Sequence, residues 1–188
     1  IQPLQCITGS MQRHQQTAQY AFPHLERQIQ PCWNEFNHQQ IFALYDQEFS
    51  DPSKLKQRVA QANDSRDYLA QIFLAAMQRW TSGKFDHEYA ETWSAFQHRI
   101  KQGFDELCQQ YQANYPNQAV VIFTSGGVIS VLMGLLLQLN TAQIFQLNGS
   151  IRNASISSIH AENQNIQVMK VNEYLFLEAQ AAELVTWL

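Results

Sequence analysis

The chain has 188 residues and a formal net charge of -4, with 45% hydrophobic, 12% aromatic and only 15% charged residues. Eleven Phe, seven Tyr and four Trp exclude a disordered segment, and the length suits one domain with room for an elaborated insertion. Polarity comes largely from 27 Gln rather than from ions, so the basic face that displaces counterions from nucleic acid is missing.

Residues 1–7 show neither the basic start nor the long apolar run of a secretion signal. The longest apolar stretch, residues 128–139, is interrupted by Ser130, Gly134 and Gln138 and falls well short of the ~20 residues that cross a bilayer. Cys6, Cys32 and Cys108 are too few and too scattered for a disulfide framework or a zinc knuckle. These features imply a soluble, cytoplasmic protein with reduced thiols, bound to neither membrane nor nucleic acid. The sequons at Asn63, Asn148 and Asn153 carry no weight without a signal peptide.

In chain order, residues 4–7 read as a strand, Thr8-Gly9-Ser10 as a turn, and residues 11–22 as a helix ending before Pro23. A short helix is expected around 40–45, and Asp51-Pro52 supplies a cap and a first-turn proline for the next. Tyr68, Leu69, Ile72, Phe73, Ala76, Met77 and Trp80 follow helical spacing, as do Trp93, Phe96, Ile100, Phe104, Leu107 and Tyr111. Both stripes read as packing faces.

Residues 119–123 form a continuous β-branched run without alternation, as in a parallel strand covered on both faces. Thr124-Ser125-Gly126-Gly127 follows, then an almost wholly apolar central helix over 128–139. Residues 154–160 and 165–171 suggest a hairpin through the polar turn 161–164, and residues 179–188 a last helix. Alternating strands and helices define an α/β fold of three layers, α/β/α, with a mostly parallel sheet.

Ligands of such sheets sit beyond the carboxyl ends of strands. Two ends offer anion-binding groups: Thr8 to Arg13, with hydroxyls and a guanidinium, and Thr124 to Gly127, with hydroxyls and helix-start amides. On spacing alone, tight-turn glycines and a surface arginine are an equally good reading. A serine hydrolase elbow at Ser125 is a weaker one, since Phe123 stands where that turn needs glycine.

Ile7-Thr8-Gly9-Ser10-Met11-Gln12-Arg13-His14-Gln15-Gln16-Thr17-Ala18 resembles the turn, Arg and Gln-Thr-Ala segment of the histidine phosphatase superfamily, the phosphoglycerate-mutase-like proteins. Trp33-Asn34-Glu35-Phe36 resembles its acidic motif, residues 119–127 its strand and glycine turn, and Asn153-Ala154-Ser155 with Asn172-Glu173 its closing strands. The resemblance spans the whole chain as one domain, with residues 51–111 as the helical cap insertion that sets substrate preference. It implies phosphoryl transfer through a phosphohistidine in a phosphatase that hydrolyses a small phosphorylated metabolite, a mutase being the lesser option, without metal or other cofactor.

On that resemblance Arg13 is the pocket arginine and Glu35 the acid that protonates the leaving oxygen, which requires a carboxyl pKa raised by burial and by the incoming dianion. Ser125 stands where most relatives carry a second histidine; its hydroxyl and the Gly126 amide remain as phosphate donors. His38, three residues after Glu35, is a further candidate for phosphate, while His14 is expected to point away from Arg13. No Arg-His-Gly occurs in the chain, so the first strand and nucleophile loop are expected upstream of Ile1. The alternative is a phospho-ligand binding protein of weak or no turnover. An oligomer is compatible with either reading.

Overall fold

Residues 2–114, 118–162 and 165–186 are described by the structure, a computed structural model. In chain order they form β1 (Gln5–Thr8), α1 (Gln12–Ala21), β2 (Arg27–Ile29), α2 (His38–Tyr45), α3 (Pro52–Gln61), α4 (Ser65–Thr81) and α5 (Trp93–Asn114). There follow β3 (Val120–Phe123), α6 (Gly126–Leu137), α7 (Thr141–Ser150), β4 (Ile156–Glu162), β5 (Asn165–Glu173) and α8 (Leu175–Glu178). The chain divides into two units, Ile1–Glu35 with Gln97–Leu188, and Phe36–Phe96.

The first unit is built on a parallel sheet in the order β2-β1-β3. β1 is central, and Cys6, Ile7 and Thr8 are wholly inaccessible to solvent. α1 makes the crossover that parallel pairing of β1 and β2 requires. It turns His14 and Ala18, four residues apart on one face, into the interior. β3 lies at the end of the strand order, so its four apolar residues are half-buried rather than fully covered.

α6 is the expected central helix. Val128, Val131, Leu132 and Met133 are buried, and Gly134 admits Ile144 of α7 so closely that a Cβ would collide with it. The helix stops at Gln138 in the left-handed conformation (φ 57°), with the Leu139 N–H donating to the Gly134 carbonyl at 2.8 Å. β4 and β5 form the expected antiparallel hairpin, and residues 163–164 of its turn lie outside the described residues. The final helix expected over 179–188 is absent from the described part: α8 ends at Glu178, and only a 3-10 turn, Ala182–Leu184, follows. Residues 187–188 lie outside the described residues. A helix there would span ten residues at most, and propensity alone does not hold so short a helix.

The second unit is helical. Asp51 accepts from the Ser53 N–H at 2.9 Å with Pro52 in the first turn of α3, and Asp64 caps α4 through Arg66 and Asp67. Trp80 sits among aromatic rings, 5.2 Å from Phe36, 5.2 Å from Trp93 and 5.7 Å from Phe96. Its Nε1 donates to the Glu91 carbonyl at 2.9 Å, so the indole is buried with its polar atom satisfied. Both helical stripes are packing faces as expected, although Leu69 is exposed. The whole is an α/β fold with a mostly parallel sheet.

Candidate functional site

β1 and β3 run side by side with Thr8 opposite Phe123, so the loops leaving their carboxyl ends emerge together. The Gly9 N–H donates to the Phe123 carbonyl at 3.1 Å. Glycine is needed there: a Cβ would collide with His14 Nδ1 and stand 2.8 Å from both the Trp33 carbonyl and Asn34 Oδ1. The segment after β2 closes in from a third side. Asn34 Oδ1 accepts the Ser10 N–H at 2.7 Å, Asn34 Nδ2 donates to Ser10 Oγ at 2.6 Å, and Thr124 Oγ1 donates to the Trp33 carbonyl at 2.7 Å. Arg99 on α5 donates from Nη1 to the carbonyls of Pro31, Cys32 and Asn34 at 3.3, 2.7 and 3.1 Å. The loop carrying Glu35 is thereby tied to both strand ends.

Ser125 occupies the cap position of α6 in extended backbone (φ -112°, ψ 168°), yet its hydroxyl makes no capping bond. Its Oγ instead accepts from Arg13 Nε at 3.1 Å and Nη2 at 2.9 Å, and His14 Nε2 stands 2.6 Å from the same oxygen. Glu35 takes over part of the capping, its Oε2 accepting the Gly127 N–H at 2.9 Å, where the helix dipole favours a carboxylate. The Gly126 N–H, at the first helical position, has no acceptor among the described residues.

Charge is unevenly matched here. Arg58 and Arg79 each pair with carboxylates at 3.1 Å or less, whereas the exposed Arg13 has no carboxylate partner among the described residues. His14 is 3% exposed; burial, and then the neighbouring Arg13, push its pKa down to about 4, so its ring is neutral at pH 7. Its Nδ1 and the hydroxyl of Thr8 are buried without hydrogen-bond partners among the described residues. A permanent cationic fork, an available helix-start amide, a hydroxyl and a carboxylate within one cluster can hold a tetrahedral anion and pass it a proton.

The structure thus gathers Arg13, Glu35, Ser125 and Gly126 in the first unit. His38 is the exposed first residue of α2, in the helical unit. The expectation that His14 points away from Arg13 is overturned: both side chains reach Ser125 Oγ. The clue lay in the four-residue spacing to Ala18, which puts His14 on the inward face of α1. Asn34 and Arg99 carry no sequence signal for their roles, which depend on loops meeting across 24 and more than 60 residues. Among the described residues no group of three His, Cys, Asp or Glu side chains is placed to hold a metal ion. No helix among them is long and apolar enough to cross a membrane.

The fold is that of an α/β protein whose polar cluster lies at the carboxyl ends of two neighbouring parallel strands. The profile of the Histidine phosphatase superfamily (branch 1) matches residues 60–174, more than half of the sequence, and the chain belongs to that superfamily. The match takes in Ser125 and Gly126 but not Arg13 or Glu35, which join them through the geometry above. Among solved structures the fold is similar to a phosphoglycerate mutase from Bacillus anthracis, 18% identical, with a TM-score of 0.59 over 92% of this chain and 74% of that one. It is also similar to an alpha-ribazole phosphatase from Shigella flexneri, 19% identical, with a TM-score of 0.61 over 92% of this chain and 75% of that one. No curated protein matches the chain.

Proposed function

We propose that the protein is a cytoplasmic phosphatase that hydrolyses a small phosphorylated metabolite through a phosphohistidine. Its nucleophile is a histidine outside residues 1–188, since no Arg-His-Gly occurs within them. In the first step the phosphoryl group passes from the substrate oxygen to the histidine nitrogen, and the leaving oxygen takes a proton from Glu35. Water then gives a proton back to Glu35 as its oxygen displaces the histidine nitrogen from phosphorus, which releases inorganic phosphate and restores both groups. Arg13 neutralises the phosphoryl oxygens, more strongly as charge spreads over them in the transition state, with Gly126 and Ser125 as further contacts. No metal is needed for that neutralisation.

The reading rests on one observation above the others: Arg13, without a carboxylate partner among the described residues, is turned onto the hydroxyl at the start of α6. Membership of the superfamily and the likeness to a phosphatase fold support it. Purified protein that includes an upstream Arg-His-Gly is expected to release phosphate from members of a phosphomonoester panel and to yield an acid-labile phosphoenzyme. No release from any member would end the catalytic reading. Vanadate binding without turnover would favour the second reading, a phospho-ligand binding protein, for which the serine at 125 in place of a histidine speaks.

A further inference from the structure

The contacts of Ser125 Oγ determine where its proton points. A hydroxyl has two lone pairs and one hydrogen. Arg13 presents two N–H groups to Oγ, from Nε and Nη2, and both must be accepted because a guanidinium has no lone pair to offer. With both lone pairs occupied, the remaining contact, 2.6 Å to His14 Nε2, is the serine O–H donated to the ring. His14 then carries its own hydrogen on Nδ1, the buried atom beside Gly9 that has no partner among the described residues. An apolar side chain would bury no such N–H, so packing alone does not account for the imidazole.

We propose that His14 is a positioning residue of the phosphate site: it takes the Ser125 proton, so that the serine oxygen turns its lone pairs to Arg13 and holds the guanidinium at the start of α6. The inference rests on the reading of Arg13 as the phosphate-binding cation. Arg13 is exposed and long, and without this anchor it loses rotamer order that phosphate binding must then restore. His14 acts as a neutral acceptor rather than a base, because a second positive charge buried beside Arg13 is disfavoured.

Two measurements test it, the first without reference to activity. In wild-type protein labelled with 15N-histidine, His14 is expected as a neutral ring with the hydrogen on Nδ1 and a bare Nε2. The opposite tautomer, or a ring protonated at pH 6, would overturn the proposal even if the protein were a proven phosphatase. The second is vanadate affinity. His14→Phe is expected to weaken it about tenfold, the scale of one hydrogen bond linked to a charge, and His14→Gln, whose amide can accept at the Nε2 position, to restore most of that loss. In a Ser125→Ala background, His14→Phe should add nothing. Independent, additive losses would overturn the proposal, as would unchanged affinity in His14→Phe. If His14→Phe does not fold, the comparison of His14→Gln with Ser125→Ala and the tautomer still decide. Failure of turnover with these results intact would count against the phosphatase reading alone.

Discussion

His14 is buried as a neutral ring, which makes part of the protein's stability sensitive to acid. The unfolded chain takes up this proton near pH 6.5, the folded one only near pH 4, so the contribution is complete above 6.5 and is lost as pH falls toward 4. The slope is at most about 1.4 kcal/mol per pH unit in that window. Urea unfolding of wild type should therefore weaken between pH 6.5 and 4 more steeply than that of His14→Gln; parallel profiles would refute the assignment. At Cys6, burial pushes the thiol pKa up and solvent access is nil, so iodoacetamide should leave it unmodified in the native protein and label it after unfolding. The residues that carry chemistry were partly legible at this scale. Arg13 and Glu35 stand in short motifs, whereas the direction of His14 became visible only when the face of α1 was known.

At the scale of elements, the turn from β1 into α1 is the least tolerant. A Cβ at Gly9 meets His14, Asn34 and Trp33 together, so Gly9→Ala should lower stability and weaken phosphate and vanadate binding through displacement of α1's first turn. In the helical unit, Trp80→Ala should cost about 3–5 kcal/mol in chemical denaturation, since it empties the centre of an aromatic cluster. Elements with a strong apolar signature were legible: β1, α4, α5, β3, α6 and the β4–β5 hairpin. β2 was not, because three residues at a sheet edge, two of them exposed, carry no periodicity. α7 has a legible start, since Asn140 and Gln143 form a capping box whose spacing is present in the sequence.

For the whole molecule, the α/β class follows from alternation of strand and helix signals, but convergence of the site does not. Arg13 and Ser125 lie 112 residues apart and meet because β1 and β3 are parallel neighbours, a pairing that no local pattern announces. Removing that convergence is the severest functional test: Arg13→Met should lower kcat/KM of the active protein by about 100-fold or more, with Arg13→Lys recovering little, since a point charge cannot reproduce the fork. An unchanged kcat/KM would detach Arg13 from the reaction.

On the proposed reading, Glu35 makes the protein a competitor for its own phosphate ligand. Its carboxylate already neutralises the start of α6, so an arriving phosphate must evict this incumbent or load it with hydrogen. Calorimetric titration with phosphate in buffers of different ionisation enthalpy should therefore register net uptake of hydrogen ions. Glu35→Gln, which removes the incumbent's charge, should abolish that uptake and tighten the association.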